Sequence, residues 1–153
     1  MGAVEDRLAA VGLQVPEVAA PVAAYVPAVR TGSHVYTSGQ LPMVSGTLMG
    51  TGTVGAEVTP EQATQMAAQC ALNAIAAIRS VVGDLDSVVR VVKVVGYVAS
   101  APGFTGQPGV VNGASELFAT AFGEAGVHAR SAVGVAALPL GAPVEVDVVV
   151  EVG

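Results

Sequence analysis

Residues 128–152 read HARSAVGVAALPLGAPVEVDVVVEV, and the fold turns on how this stretch alternates. Ala129, Ser131, Val133 and Val135 alternate with His128, Arg130, Ala132 and Gly134. After the Leu138–Pro143 connection, Val144, Val146, Val148 and Val150 alternate with Glu145, Asp147, Val149 and Glu151. A period of two marks strands with one buried face. Two such runs joined by a link rich in Gly and Pro predict a hairpin. With the apolar faces aligned, Arg130 and Glu145 fall on the same side of the sheet. Charge there has no evident structural purpose, so a ligand is first sought on that side.

Upstream, Val88–Ala99 (VVRVVKVVGYVA) is apolar on both faces apart from Arg90 and Lys93, the pattern of a central strand. Between it and the hairpin, Ala101–Pro108 is a Gly/Pro-rich connection. Val110–Phe122 follows as a helix with Val111, Ala114, Phe118 and Phe122 inward, closed by Gly123 and Gly126. A stronger helix starts at Thr59-Pro60-Glu61-Gln62, with a capping threonine, proline in the first turn and glutamine at the capping-box position. Ala68, Ala71, Leu72, Ile75, Ile78 and Val82 form its apolar stripe, Gln62, Gln65, Gln69 and Asn73 its wet side, and Gly83 its stop. Tyr25–Thr31 and Val35–Ser38 read as strands joined at Gly32-Ser33. Val4–Val11 reads as a short helix and the segment with Pro16 and Pro21 as an extended lead-in, together an appendage. The order predicts an α+β sandwich, two helices on one face of a mixed sheet. The other face, uncovered, calls for a second subunit.

Composition narrows the function classes. The 153 residues suit one domain. A net charge of -6, from 12 acidic and 6 basic residues, opposes a nucleic-acid partner, because phosphate binding needs clustered Lys and Arg. Hydrophobic residues make up 52% but aromatics only 4%, so the excess is Ala and Val seeking cover. A lone cysteine, Cys70, excludes an internal disulfide, and no Cys/His cluster has metal spacing; no metal and no cofactor are expected. Acidic Glu5 and Asp6 oppose a signal peptide, and uncharged runs are broken by Gly, Ser, Thr and Pro. A soluble cytoplasmic protein without membrane contact is the expectation. Gly50-Thr51-Gly52-Thr53-Val54-Gly55 spells GxGxxG, but it does not open directly into a helix and reads as a hairpin or loop.

Among residues that can carry chemistry, Arg130 stands first, since its rigid fork suits a small carboxylate. Its structural alternative is an ion pair with Glu145, Asp147 or Glu151. Glu145 can position or deprotonate a water, or be a solvated strand carboxylate. Tyr25 can wall a pocket or simply pack. His34 and His128 are the only histidines, each more readily a surface or interface residue than half of an acid/base pair. Cys70 reads as a small buried hydrophobe, no activator being near it in sequence.

Arg130-Ser131, Val135-Ala136, Leu138-Pro139 and Val144-Glu145-Val146-Asp147 resemble the closing signature of the reactive-intermediate deaminase (RidA/YjgF) family, whose members also carry the endoribonuclease L-PSP name. Tyr25, the run Thr37-Ser38-Gly39-Gln40-Leu41-Pro42 and Val111-Asn112 fall where that family has its Tyr, its SGQ(I/L)P run and its Val-Asn. The resemblance covers residues 21–153 as a single domain and leaves residues 1–20 as an N-terminal extension. It implies a chorismate-mutase-like fold in a homotrimer, the sheets forming a central barrel with ligand clefts between subunits. It also implies cofactor-independent hydrolysis of 2-imino acids, formed from enamines such as 2-aminoacrylate, to 2-oxo acids and ammonia. On that reading Arg130 holds the substrate carboxylate, Glu145 orients the water and Gly39 lines the cleft. Tyr25 and Asn112 come from the neighbouring subunit. The chain departs from the pattern at Ala132, where many members have cysteine, at His128, where proline is common, and in an enlarged Ala99–Gly109 connection. The alternative function is a non-catalytic trimer that senses a small carboxylate through the same arginine. A ribonuclease or translation inhibitor, a third class attached to parts of the family, is opposed by the acidic charge.

Overall fold

The computed structural model describes residues 2–18 and 24–153. In chain order the elements are α1 (Ala3–Ala10), β1 (Ala28–Thr31), β2 (His34–Thr37), the two-residue strands β3 (Met43–Val44) and β4 (Thr47–Leu48), α2 (Pro60–Val82), β5 (Val88–Ala99), α3 (Gln107–Phe122), β6 (Ala129–Val135) and β7 (Val144–Val152). Five strands make a mixed sheet in the order β1-β2-β7-β5-β6, and α2 and α3 pack together on one of its faces. This is the α+β layering expected from the sequence. Among the described residues no helix is long and apolar enough to cross a membrane.

The expected hairpin of β6 and β7 does not form. β5 lies between them, parallel to β6 and antiparallel to β7. A strand apolar on both faces is stabilised by neighbours on both edges, and the clasp at its end shows how this is met: Ala99 N–H donates to Pro143 O (2.9 Å) and Ser100 N–H to Val135 O (3.0 Å). The link between β6 and β7 therefore passes the end of β5 rather than turning back on itself. This changes which side Arg130 faces. Arg130 is aligned with Val94 and Glu145 with Tyr97, three positions along β5, so the two side chains project from opposite faces.

The helix-covered face carries the core. Val144, Val146, Val148, Val150 and Val152 of β7, Val91, Val94 and Val98 of β5 and Val35 of β2 are buried under Ala67, Cys70, Ala71, Ala74 and Ile75 of α2 and Val111, Ala114 and Phe118 of α3. Gly96 lets α3 approach β5 closely, since a Cβ there would overlap the side chain of Val111. Thr59 caps α2 as its sequence predicts, its hydroxyl accepting from Gln62 N–H while Gln62 reaches back to Thr59 N–H at 2.9 Å. α3 begins at Gln107, three residues before the expected start, because Pro108 is tolerated in a first turn, where its missing N–H is not needed. β1 begins only at Ala28, after Pro27, and leaves Tyr25 in a bend.

Two expectations are corrected by packing. The amino-terminal helix is no appendage: Val4 and Leu8 of α1 join the main core, and Asp86 accepts from Ala3 and Val4 N–H. Asn73, placed on the wet side of α2, is buried, because its amide donates to Leu41 O and Met43 O at 3.0 Å each. Cys70 is a buried hydrophobe as expected, and burial, followed by the charge of Glu145, pushes its thiol well above its ordinary range. The GxGxxG segment is a loop, its Val54 bridged to Val58 and Ser100.

Among the described residues no helix lies over the opposite sheet face. Val29, Tyr36, Val149, Val95, Tyr97 and Val133 lie along it, with Tyr36 48% and Val29 53% exposed. Lys93, Ser131, Asp147, Glu145 and Glu151 share that face.

Candidate active site in two halves

The first half is built on α3. Pro108, Asn112 and Ser115 follow one another at spacings of four and three, so they line one face of the helix beside the edge strand β6. Arg130 reaches across to that face. Its Nη1 donates to Asn112 Oδ1 (2.7 Å) and Ser115 Oγ (3.3 Å), and its Nη2 to Pro108 O (3.3 Å). Of the five N–H groups of a guanidinium, three are thus directed into α3, and the Nε–Nη2 edge keeps one hydrogen on each nitrogen without a partner among the described residues. That edge is one of the two that match a carboxylate bidentately, the other being occupied on Nη1 by Asn112 and Ser115. Among the described residues the sole ion pair joins Arg79 to Glu5, so pairing of Arg130 with Glu145, Asp147 or Glu151 does not occur here. A cleft of about 310 Å³ opens beside Arg130, lined also by Ser115, Glu116 and His128. Asn112, expected from a neighbouring subunit, meets Arg130 within one chain.

The second half lies across the sheet. Tyr25, Ser38, Gly39, Leu41, Pro139, Leu140 and Glu145 surround a cleft of about 450 Å³. Gly39 and Glu145 are so close that a Cβ on residue 39 would fall on the carboxylate oxygen, so any larger residue there would push the Glu145 carboxylate out of its present place. The 37–42 run is held from two sides: Gln40 bridges Val146 in both directions (2.8 and 3.0 Å), and Asn73 grips the carbonyls of Leu41 and Met43. Ser38 Oγ donates to Val26 O (2.6 Å), which sets the bend carrying Tyr25. Tyr25, 49% exposed, therefore stands beside Gly39 and Glu145 of its own chain rather than apart from them. Leu140 sits at the rim in a left-handed conformation (φ 61°) that costs a leucine energy.

Glu145 is half-buried, and burial first, then the charge of Asp147, raises its carboxyl above the ordinary carboxylate range. Asp147 is raised by burial too, against the lowering effect of the Tyr97 hydroxyl, which donates to it at 3.1 Å. Sequence reasoning missed Ser115, Asn73 and Tyr97. Ser115 was findable as the next residue on the Asn112 face of the helix. Among the described residues no three His, Cys, Asp or Glu side chains are grouped to hold a metal.

Residues 5–152 match the family model described as "YjgF/chorismate_mutase-like, putative endoribonuclease". The chain belongs to the YjgF family. Protein TCP17 of Trypanosoma cruzi is 46% identical over 98% of this chain and 94% of its own length. Two solved structures superpose along nearly the whole YjgF-family chain. Atu1372 of Agrobacterium tumefaciens, a protein of unknown function, has a TM-score of 0.92 at 45% identity, covering 99% of this chain and 94% of that one. A "putative endoribonuclease" of Shewanella oneidensis has a TM-score of 0.95 at 33% identity, covering 99% and 100%. The coverage includes α1, in keeping with its place in the core.

Proposed function

We propose that this YjgF-family protein hydrolyses 2-imino acids to 2-oxo acids and ammonia, without a cofactor, in clefts between the subunits of a homotrimer whose sheets form a central barrel. One observation carries the reading: the chain holds a carboxylate-matching guanidinium edge and a half-buried carboxyl with raised proton affinity, but on opposite faces of one sheet. Neither half is a site alone. A neighbouring copy that lays its Glu145 half against the Arg130 half completes one, and the uncovered sheet face is covered in the same step.

In the completed cleft Arg130 and Asn112 of one subunit hold the substrate, and Tyr25, Gly39 and Glu145 of the next face its C2 carbon. Glu145 takes a proton from water as the oxygen bonds to C2 and the C=N electron pair moves onto nitrogen. It returns that proton to the nitrogen to give an amino alcohol, then takes the hydroxyl proton and hands it to the same nitrogen as the C=O bond forms and the C–N bond breaks, so that ammonia and the 2-oxo acid leave and the carboxylate is regenerated. No electrons are exchanged with a cofactor. A base with raised proton affinity suits both steps better than an ordinary carboxylate, because it must release the proton again as well as take it. Positioning supplies much of the rate for so electrophilic a carbon.

RNA cleavage is not proposed, since a net charge of -6 opposes phosphate-backbone binding. The test is to add the protein to freshly generated 2-imino acids of graded side-chain size and follow 2-oxo acid release. Acceleration that disappears in Glu145→Gln supports the enzyme. Tight 2-oxo acid binding with no acceleration for any imine identifies a carboxylate sensor instead.

A further inference from the structure

Behind Arg130 lies a hydrogen-bonded chain that the proposed reaction does not use. Gly126 O, a pure acceptor, stands 2.6 Å from His128 Nδ1, so Nδ1 carries the hydrogen and donates it. In the neutral ring Nε2 is then bare, and Ser115 Oγ, 2.9 Å away, donates to it. With its one proton directed at the imidazole, the serine offers its lone pairs to Arg130 Nη1 at 3.3 Å. Phe118 fixes the plane of the imidazole edge-on, ring centroids 6.0 Å apart at 84°. The bonds run in one direction, from guanidinium to serine to imidazole to backbone carbonyl.

We infer that Ser115 and His128 are positioning residues that set the orientation of the Arg130 fork, an inference that rests on Arg130 being the carboxylate anchor. Serine hydroxyls rotate freely when unconstrained, and one that turns its proton toward Nη1 repels the guanidinium it should receive. His128 prevents that rotation. With Nη1 satisfied by Ser115 and Asn112, and half of Nη2 by Pro108 O, the Nε–Nη2 edge is held toward the cleft before any ligand arrives. A preoriented fork loses less freedom on binding.

The experiment measures 2-oxobutanoate affinity by calorimetry and imine-hydrolysis kinetics in Arg130→Ala, Ser115→Ala, His128→Phe, His128→Gln and the double variant Ser115→Ala/His128→Phe, each confirmed folded by thermal melting. His128→Phe keeps a ring against Phe118 and loses the hydrogen bonds; His128→Gln keeps an acceptor near the place of Nε2. Ser115→Ala and His128→Phe are expected to weaken binding roughly five- to tenfold, the worth of one well-placed hydrogen bond. Their KM rises while kcat changes little. His128→Gln recovers most of the affinity, and the double variant is no weaker than Ser115→Ala, because a chain broken once cannot be broken again. Full affinity in His128→Phe, or additive losses in the double variant, overturns the inference while Arg130→Ala still abolishes binding and the anchor reading stands. Wild-type affinity in Arg130→Ala overturns the anchor reading itself, and the inference with it.

Discussion

At the scale of single residues, charge and geometry separate anchoring from chemistry. Arg130→Lys keeps the cation but loses the planar fork, and Arg130→Ala loses both. Isothermal titration with a 2-oxo acid should show affinity falling in two steps along that series. Wild-type affinity in both variants would remove Arg130 from the site. Glu145 makes a different prediction. Its carboxyl is raised in the folded protein by burial and then by Asp147, so the folded state binds the proton more tightly than the unfolded chain. The stability this contributes is present below the ordinary carboxylate range and is lost as pH rises through the raised folded value. Asp147 acts with the same sign. Melting temperature should therefore decline across that window in the wild type and flatten in the Glu145→Gln/Asp147→Asn variant, and parallel curves would contradict it. Hydrolysis should show an acidic limb displaced upward from that of a free carboxylate, because the base works only when ionised. Arg130 and Glu145 were both legible in the sequence, as charges with no evident reason for being on strands. Their partners were not: Asn73 passed for a solvated amide because its value lies in two carbonyls about thirty residues away.

At the scale of elements, the helices were the readable part, because caps and apolar stripes are local signals. Thr59 and Gly83 bound α2 where the sequence places them, and β5 spans Val88–Ala99 as read. Pairing was unreadable for the opposite reason. Alternation gives each strand its faces but not its neighbours, so β6 and β7, adjacent in sequence, were joined directly and the parity of Arg130 came out reversed. The amino-terminal helix was undervalued because eight residues with two buried anchors make a weak pattern. Its contribution is measurable. Leu8 is wholly buried. Leu8→Ala should cost about 2–5 kcal/mol in a denaturant titration, as core leucine truncations do. A loss under 1 kcal/mol, the scale of an ordinary surface change, would make α1 an appendage after all.

At the scale of the whole molecule, the uncovered sheet face and the divided site make one joint prediction. Light scattering should give three times 15.1 kDa. Subunit exchange offers the stricter test. Arg130→Ala and Glu145→Gln chains, each inactive alone, should regain activity when co-refolded, because a cleft that takes its arginine from one chain and its carboxylate from the other is intact. Random mixing in equal amounts makes about a quarter of the clefts whole, given head-to-tail contacts in a closed ring. No recovery from a mixture shown by mass spectrometry to hold both chains would place the halves in separate sites.

The position of β7 in the sheet bears on how the polypeptide acquires this shape at all. β7 alone connects the β1–β2 ribbon to the β5–β6 ribbon. A growing chain that has reached residue 143 holds two half-sheets linked only through the packing of α2 on α3, each half-sheet showing valine to the solvent. Closure waits for residues 144–152 to thread between, a step dominated by contacts far apart along the chain and therefore slow. Until β7 is in place both ribbons keep an unpaired, valine-rich edge, the condition under which strands of separate chains stick together.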